Sequence, residues 1–239
     1  MDTHKGVREG PLDMSSVRSR ALGLLIIGAV LYWAAVALAM HVLEPEFSPI
    51  RAPMSAYVLG AYGAWMTTTY VALSAALLSV GIGLATALPA TALTRIGLSL
   101  FLLATTGALI AGLFPMDFPG PPRTSSGRLH ALGGVLTFPA WVLGVFLFSL
   151  SVRRDHRWGR DSGSLLALSA TSIGVFLFSI LSLIVLGFAG YAQRLLVVVL
   201  FIWMIIIALH MIRRPAEISA QGAQPNRPLQ PTNGAGGHS

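Results

Sequence analysis

The chain has 239 residues, 54% of them hydrophobic and only 10% charged, with a mean hydropathy of +0.73. Soluble domains carry about 25% charged residues, so this chain has too little polar surface to coat a globule, and lipid is its natural solvent. The formal charge of +7 lies beside apolar runs, which points to membrane topology and away from nucleic acid; the absence of cysteine excludes disulfides, thiolate metal ligands and a cysteine nucleophile.

Crossing about 30 Å of hydrocarbon takes roughly 20 helical residues at about 1.5 Å each. Six stretches in chain order meet that length, at about 21–40, 61–88, 96–113, 129–152, 165–187 and 195–212. The runs are continuous rather than alternating, which favours helices over barrel strands. The first has small residues at Ala37 and Ala39, but its long leader and long apolar core read as an uncleaved anchor. The expected fold is an all-α, polytopic integral membrane protein of six transmembrane helices. A tail at 1–20 precedes the 21–212 transmembrane domain, and a Pro-, Gly-, Asn- and Gln-rich tail at 213–239 reads as disordered.

Lys and Arg set the orientation. Twelve lie in the two tails and the second and fourth loops, among them Lys5, Arg95, Arg153, Arg154, Arg157, Arg160 and Arg213. Four lie on the other side, namely Arg51, Arg123, Arg128 and Arg194. Both termini are therefore expected in the cytoplasm, with the first, third and fifth loops outside the cell membrane. The arginines of "RRDHRWGRDSG" read as a topology signal first and as an anionic-lipid contact second. Tyr57, Tyr62 and Trp65 suggest an outer aromatic belt, whereas Trp33, Trp141 and Trp203 fall mid-span and suggest packing.

No Asp, Glu, Lys or Arg occupies the centre of a span. That argues against an ion-coupled transporter and an intramembrane charged triad, leaving neutral-solute carriage open. Ser172, Ser179 and Ser182 share a helical face, as Thr67 to Thr69, Ser74 and Ser79 crowd the second span; close helix packing is the favoured reading. Gly133 and Gly134 permit close backbone approach, and Pro139 is expected to bend the fourth span.

Candidate chemistry gathers in two outer loops. The first holds His41, Glu44, Glu46, Arg51 and Ser55; the third, "GLFPMDFPGPPRTSSGRLH", holds Asp117, Arg123, Arg128 and His130. Three readings stand. His41, Asp117 and His130, with Glu44 or Glu46, contain enough oxygen and imidazole donors for zinc, though without HxxxH or HExxH spacing. His130 as a base oriented by Asp117, with Ser55 as a nucleophile, would act on a lipid headgroup, though without an elbow motif. The favoured reading is a latch: Phe114-Pro115 stops a helix, Asp117 accepts turn hydrogen bonds or pairs with Arg123, Arg128 or His130, Pro119 to Pro122 stiffen the return, and Ser125 or Ser126 caps the next helix.

The segments "SPIRAPMSAYVLGAYGAW" and "GLFPMDFPG…GRLHALGG" on a six-span pattern resemble a prokaryotic membrane family known as a domain of unknown function, DUF998. The resemblance covers about residues 20–212. Gly112, Phe114, Pro115, Asp117 and His130 carry it most specifically, and Pro53, Ser55, Gly60, Gly63 and Trp65 more loosely. The family commonly has an acid after the serine, where this chain has Ala56. The resemblance implies the fold and no activity. The expected function is a non-enzymatic membrane protein binding a lipid headgroup or a protein partner, or a second copy of itself, at its outer face. Asp117, His130, Arg128, Arg51, Glu44 and Glu46 are the binding candidates. A membrane-embedded, metal-dependent lipid hydrolase or transferase is the alternative, and a neutral-solute carrier the third.

Overall fold

The computed structural model describes residues 14–118, 124–159 and 161–222, with residues 156 and 214–222 described by backbone alone. Among the described residues there are six long helices and no strand. They are α1 (Met14–Leu43), α2 (Gly63–Ala87), α3 (Ala92–Leu113), α4 (Ser125–Arg153), α5 (Asp161–Leu181) and α6 (Ala189–Gly222). A π-turn at Ser182–Leu186 extends α5, and 3-10 turns occupy Met54–Leu59 and His156–Trp158. Each long helix contains a segment long and apolar enough to cross a bilayer. The chain is an all-α, multi-pass membrane protein.

Several helices outrun the hydropathy edges, since α1 begins at Met14 and α6 continues to Gly222. Hydropathy marks the thickness of hydrocarbon, whereas a helix can continue into the headgroup layer, where water satisfies its outer groups. Of the expected tails at 1–20 and 213–239, residues 14–20 belong to α1 and 213–222 to α6, and residues 1–13 and 223–239 lie outside the described residues.

Each helix packs on its neighbours in sequence, and α6 returns against α1 to close a ring. The α3–α4 contact is the most intimate, because Gly107 and Gly133 face each other. A Cβ on Gly133 would stand 2.6 Å from Ala111 N and 2.7 Å from Gly107 O. Such small-residue contacts let van der Waals packing, rather than water exclusion, hold membrane helices together. Pro139 lies within α4 without ending it.

One half of the ring interior is filled with large side chains, among them Leu77, Leu84, Phe101, Phe148, Trp203 and Met204. Trp203 Nε1–H donates to Ser149 Oγ at 2.9 Å, so this mid-span tryptophan has both a packed ring and a satisfied donor. Ser172 donates to Ser169 O, and Ser179 donates to Val175 O and across to Ala192 O. The Ser179 bond to Ala192 O joins α5 to α6, whereas the Ser172 bond stays within α5.

Near the end that carries both termini, Ser19 donates to Met211 O at 3.0 Å. The opposite end, called distal below, carries the connections 44–62, 114–124 and 187–188. The last is tight: Gly187 adopts φ 69°, and its N–H donates to Ser182 O at 2.9 Å. Left-handed backbone of this kind suits glycine because it has no Cβ.

Candidate functional site

The third connection forms from its own sequence. Phe114 N–H makes the last bond of α3, to Ile110 O at 3.1 Å, and Pro115 has no N–H with which to continue. Asp117 then reaches across the turn. Its Oδ2 accepts from Thr124 N–H at 2.9 Å and its Oδ1 from Thr124 Oγ1–H at 2.6 Å. Gly127 lies so close to this carboxylate that a Cβ there would collide with it. Thr124 Oγ1 in turn accepts from Gly127 N–H at 3.0 Å, capping α4.

The cap is therefore Thr124 and not Ser125 or Ser126. All three carry a β-hydroxyl, and the choice falls to the residue with extended backbone, here ψ 165°. Ser126 instead donates to Pro115 O at 2.9 Å. Arg123 and residues 119–122 lie outside the described residues, and Arg128 is exposed on the first turns of α4.

His130 lies one turn further into α4. Its Nδ1 sits 2.9 Å from Ala111 O and 3.0 Å from Phe114 O. Carbonyls only accept, so Nδ1 carries the proton and tethers the open C-terminus of α3. Those two carbonyls occupy the place an orienting carboxylate would take. Nε2 takes no hydrogen bond among the described residues.

The first connection is locked by residues far apart in sequence. Glu44 is buried, accepts from Tyr62 N–H at 2.5 Å and lies against Gly60. His41 Nδ1 donates to Ala37 O at 2.6 Å, and its Nε2 accepts from Arg194 Nε–H at 3.1 Å. Arg194 also donates to Ala52 O, Gly190 O and the Tyr57 hydroxyl, at 2.9, 3.0 and 3.2 Å. Its guanidinium stands over the Tyr57 ring, 5.7 Å from the centroid. Tyr57 is accordingly buried, not part of an interfacial belt, whereas Tyr62 and Trp65 are exposed. Glu46 and Arg51 are exposed.

The predicted site residues thus fall into two latches, one around Asp117 and one around Arg194. Among the described residues no three of His, Asp and Glu are grouped to hold a metal ion. The zinc set His41, Asp117 and His130 is not brought together, and both ring nitrogens of His41 are already engaged.

Between the latches, inside the ring, lies a chamber of about 140 Å³. Its walls are largely apolar, with Trp33, Met66, Leu73, Phe138, Trp141 and Phe201 supplying the bulk. Ser55, Tyr70, His130, Thr137 and Gln193 add polar groups, and among the described residues no Asp, Glu, Lys or Arg lines it. Tyr70 interacts with the Ser55 side chain and meets the His130 ring edge-to-face at 6.2 Å. Gln193 Oε1 accepts from Met54 N–H at 2.7 Å, which fixes the amide so that its NH2 points elsewhere. The Trp141 indole N–H has no partner among the described residues. Of these groups, sequence reasoning picked out Ser55 and His130; Tyr70 and Gln193 come from other elements, and nothing in their spacing links them.

The sequence matches the family described as a protein of unknown function (DUF998) over residues 26–210. The chain belongs to the DUF998 family. No curated protein and no solved structure matches it. The matched stretch of this DUF998 protein runs from inside α1 to inside α6, and so takes in both latches and the chamber.

The other end of the DUF998 bundle has a separate lock. Asp155 is buried and accepts from Arg157 Nε–H at 2.9 Å and Nη2–H at 2.5 Å. Arg157 Nη2 also donates to Ala87 O at 3.0 Å, tying this loop to the end of α2. The carboxylate holds the Arg157 pKa above its ordinary value, against the desolvation that opposes it. Trp158 stacks on His210 at 3.8 Å, and His210 faces Asp161 at 3.4 Å. At least one of the loop's arginines therefore holds structure; Arg160 lies outside the described residues.

Proposed function

We propose that this protein binds the uncharged polar end of a membrane amphiphile in its distal chamber, on the non-cytoplasmic side of the bilayer. One observation carries the reading: a cavity inside a membrane-spanning ring combines aromatic walls with hydroxyl, imidazole and amide groups and, among the described residues, no formal charge. Ligand sites generally pair apolar walls with a few placed polar groups. A cavity of about 150 Å³ holds a benzene-sized molecule, so this chamber suits the end of a ligand rather than a whole lipid. The Lys and Arg distribution supports the orientation.

This reading moves the binding role from the loop charges to the chamber. Asp117 and Glu44 are occupied by their own turns, while Arg51, Glu46 and Arg128 remain exposed for a headgroup or protein at the rim. Gly134→Leu tests it, because Gly134 lines the chamber and a Cβ there meets open space. Wild type and variant, purified in lipid nanodiscs, are compared by mass spectrometry of extracted lipid. An uncharged, hydroxyl-bearing amphiphile should co-purify with wild type and be depleted in the variant. Identical lipid profiles would overturn the proposal.

A second reading, a hydrolase or transferase, draws support from His130 Nε2, which takes no hydrogen bond among the described residues and lines the same cavity as Ser55. Under that reading wild type in nanodiscs turns over the bound lipid, and His130→Gln abolishes the turnover.

A further inference from the structure

A second cavity, of about 190 Å³, lies on the far side of Phe138 and Gln193, two residues it shares with the chamber. Its remaining walls come from the α5–α6 side of the ring, where Phe176, Ile180 and Leu183 face Ala189 and Leu196, with Pro53 above. Its lining is nearly all hydrocarbon. The hydroxyl of Ser179 donates to Val175 O and Ala192 O, which leaves it no proton to offer a ligand.

Ile180 and Leu183 are 40% and 71% exposed, so the slot opens sideways on the part of the bundle that lipid surrounds. Leu183 belongs to the π-turn, and such local widening of a helix occurs often at functional sites. A volume near 190 Å³ only slightly exceeds that of a benzene-holding cavity. It accommodates part of one chain and not two.

The polar groups narrow the head as well. Gln193 has its amide oxygen committed to Met54, so its NH2 is the group left to donate. His130 Nε2, in the ring whose Nδ1 is protonated, is an acceptor. Together they read an oxygen that both accepts and donates, which is a hydroxyl. A quaternary ammonium can rest on the aromatic walls but leaves the Gln193 NH2 and His130 Nε2 unpaired, and a phosphodiester finds no cation in the lining among the described residues.

We infer that the ligand is a single-chain alcohol, with its hydroxyl between Gln193 and His130 and its chain in the α4–α5–α6 slot, reaching the chamber sideways from the bilayer past Phe138. This rests on the chamber reading and adds the ligand class and the route. Phe138 and Gln193 form the wall between the two cavities, and Pro139 follows Phe138 directly. A proline in a helix leaves the carbonyl one turn earlier without its donor, so the backbone carrying Phe138 is less firmly bonded than the rest of α4.

The test uses two photoreactive probes on the full chain in nanodiscs: hexadecanol with a mid-chain diazirine, and hexanol with a terminal one. Labelled residues are mapped by mass spectrometry in wild type, Gly134→Leu, Ala189→Leu and Leu183→Trp. The last two narrow the slot, and Leu183 is mostly exposed, so at least one narrowing variant should fold. In wild type the long probe should label Phe176, Ile180 or Leu183, and the short probe Met66 or Trp141. Ala189→Leu and Leu183→Trp should lose the long-probe labelling and keep the short.

Long-probe labelling confined to chamber residues, unaffected by the slot variants, would overturn the slot and leave the chamber. Long-probe labelling spread equally over outward residues such as Leu177 would mean surrounding lipid only, and would also overturn it. Absence of chamber labelling by either probe, with Gly134→Leu without effect, would remove both.

Discussion

Adjacent glycines in α4 give the sharpest test of how α3 and α4 are set against each other. A Cβ on Gly133 stands 2.6 Å from Ala111 N, about 0.8 Å short of the 3.4 Å where ordinary contact begins, and the atom it meets is backbone. Backbone cannot rotate aside, so Gly133→Ala must separate α3 from α4. Overpacking of this kind costs about 1–3 kcal/mol, against a gain of about 1 kcal/mol in helix propensity for losing a glycine. The net expectation is a loss of about 0–2 kcal/mol. A Cβ on Gly134 meets nothing within 4 Å, so Gly134→Ala keeps the propensity gain and should stabilise by about 0.5–1 kcal/mol. The propensity gain is common to both, so the two variants should differ by the overpacking cost, about 1–3 kcal/mol, measured as unfolding midpoints in the same detergent. Shifts of the same sign and size would refute the argument, since they would mean that Gly133 does not face Gly107.

Other perturbations follow from the latches. Asp117→Ala removes two charge-assisted acceptors from Thr124; after discounting for solvent, the loss is about 2 kcal/mol, and adding Thr124→Val should cost only about 1 kcal/mol more, for the cap that Thr124 Oγ1 gives Gly127 N–H. A cycle of the two single variants and the double, followed by thermal melts, measures that coupling. Arg194→Lys should destabilise by about 2–3 kcal/mol, because an ammonium cannot reach His41, Ala52 and Tyr57 together. Differential scanning fluorimetry of the purified variant checks it. Elemental analysis of purified protein is expected to find no stoichiometric zinc, given that both ring nitrogens of His41, Nδ1 of His130 and both carboxylate oxygens of Asp117 are already bonded.

The helices were legible because hydrocarbon thickness imposes one length on every span, and twenty residues of hydropathy are enough to see it. Asp117 was legible as a latch because proline, acid and hydroxyl residues lie within one turn, so the partners are local. Distance in sequence hid the rest. Tyr57 looks like an interfacial ring until Arg194, 137 positions away, draws it inward. Glu44 and Glu46 are indistinguishable as residues, yet one supports Tyr62 N–H from a buried site and the other is exposed. The chamber draws its polar groups from the first connection, α2, α4 and α6. Only ring closure brings those elements together, and no spacing rule encodes that.

The latches also bear on how a ligand reaches the chamber. Opening the distal face would require releasing the first connection, which Arg194 holds by two hydrogen bonds, to Ala52 and Tyr57, or the third, where Thr124 makes two with Asp117. At about 1 kcal/mol for a neutral bond, and more for a charged one, either release costs several kcal/mol. Between the chamber and the slot stand Phe138 and Gln193. Turning one aromatic side chain off its rotamer costs on the order of 0.5–1.5 kcal/mol. The sideways route is the cheaper by this comparison, and it never requires the chamber to fill with water. The charges that first drew attention in the loops would then serve the site indirectly, by keeping the aqueous side shut.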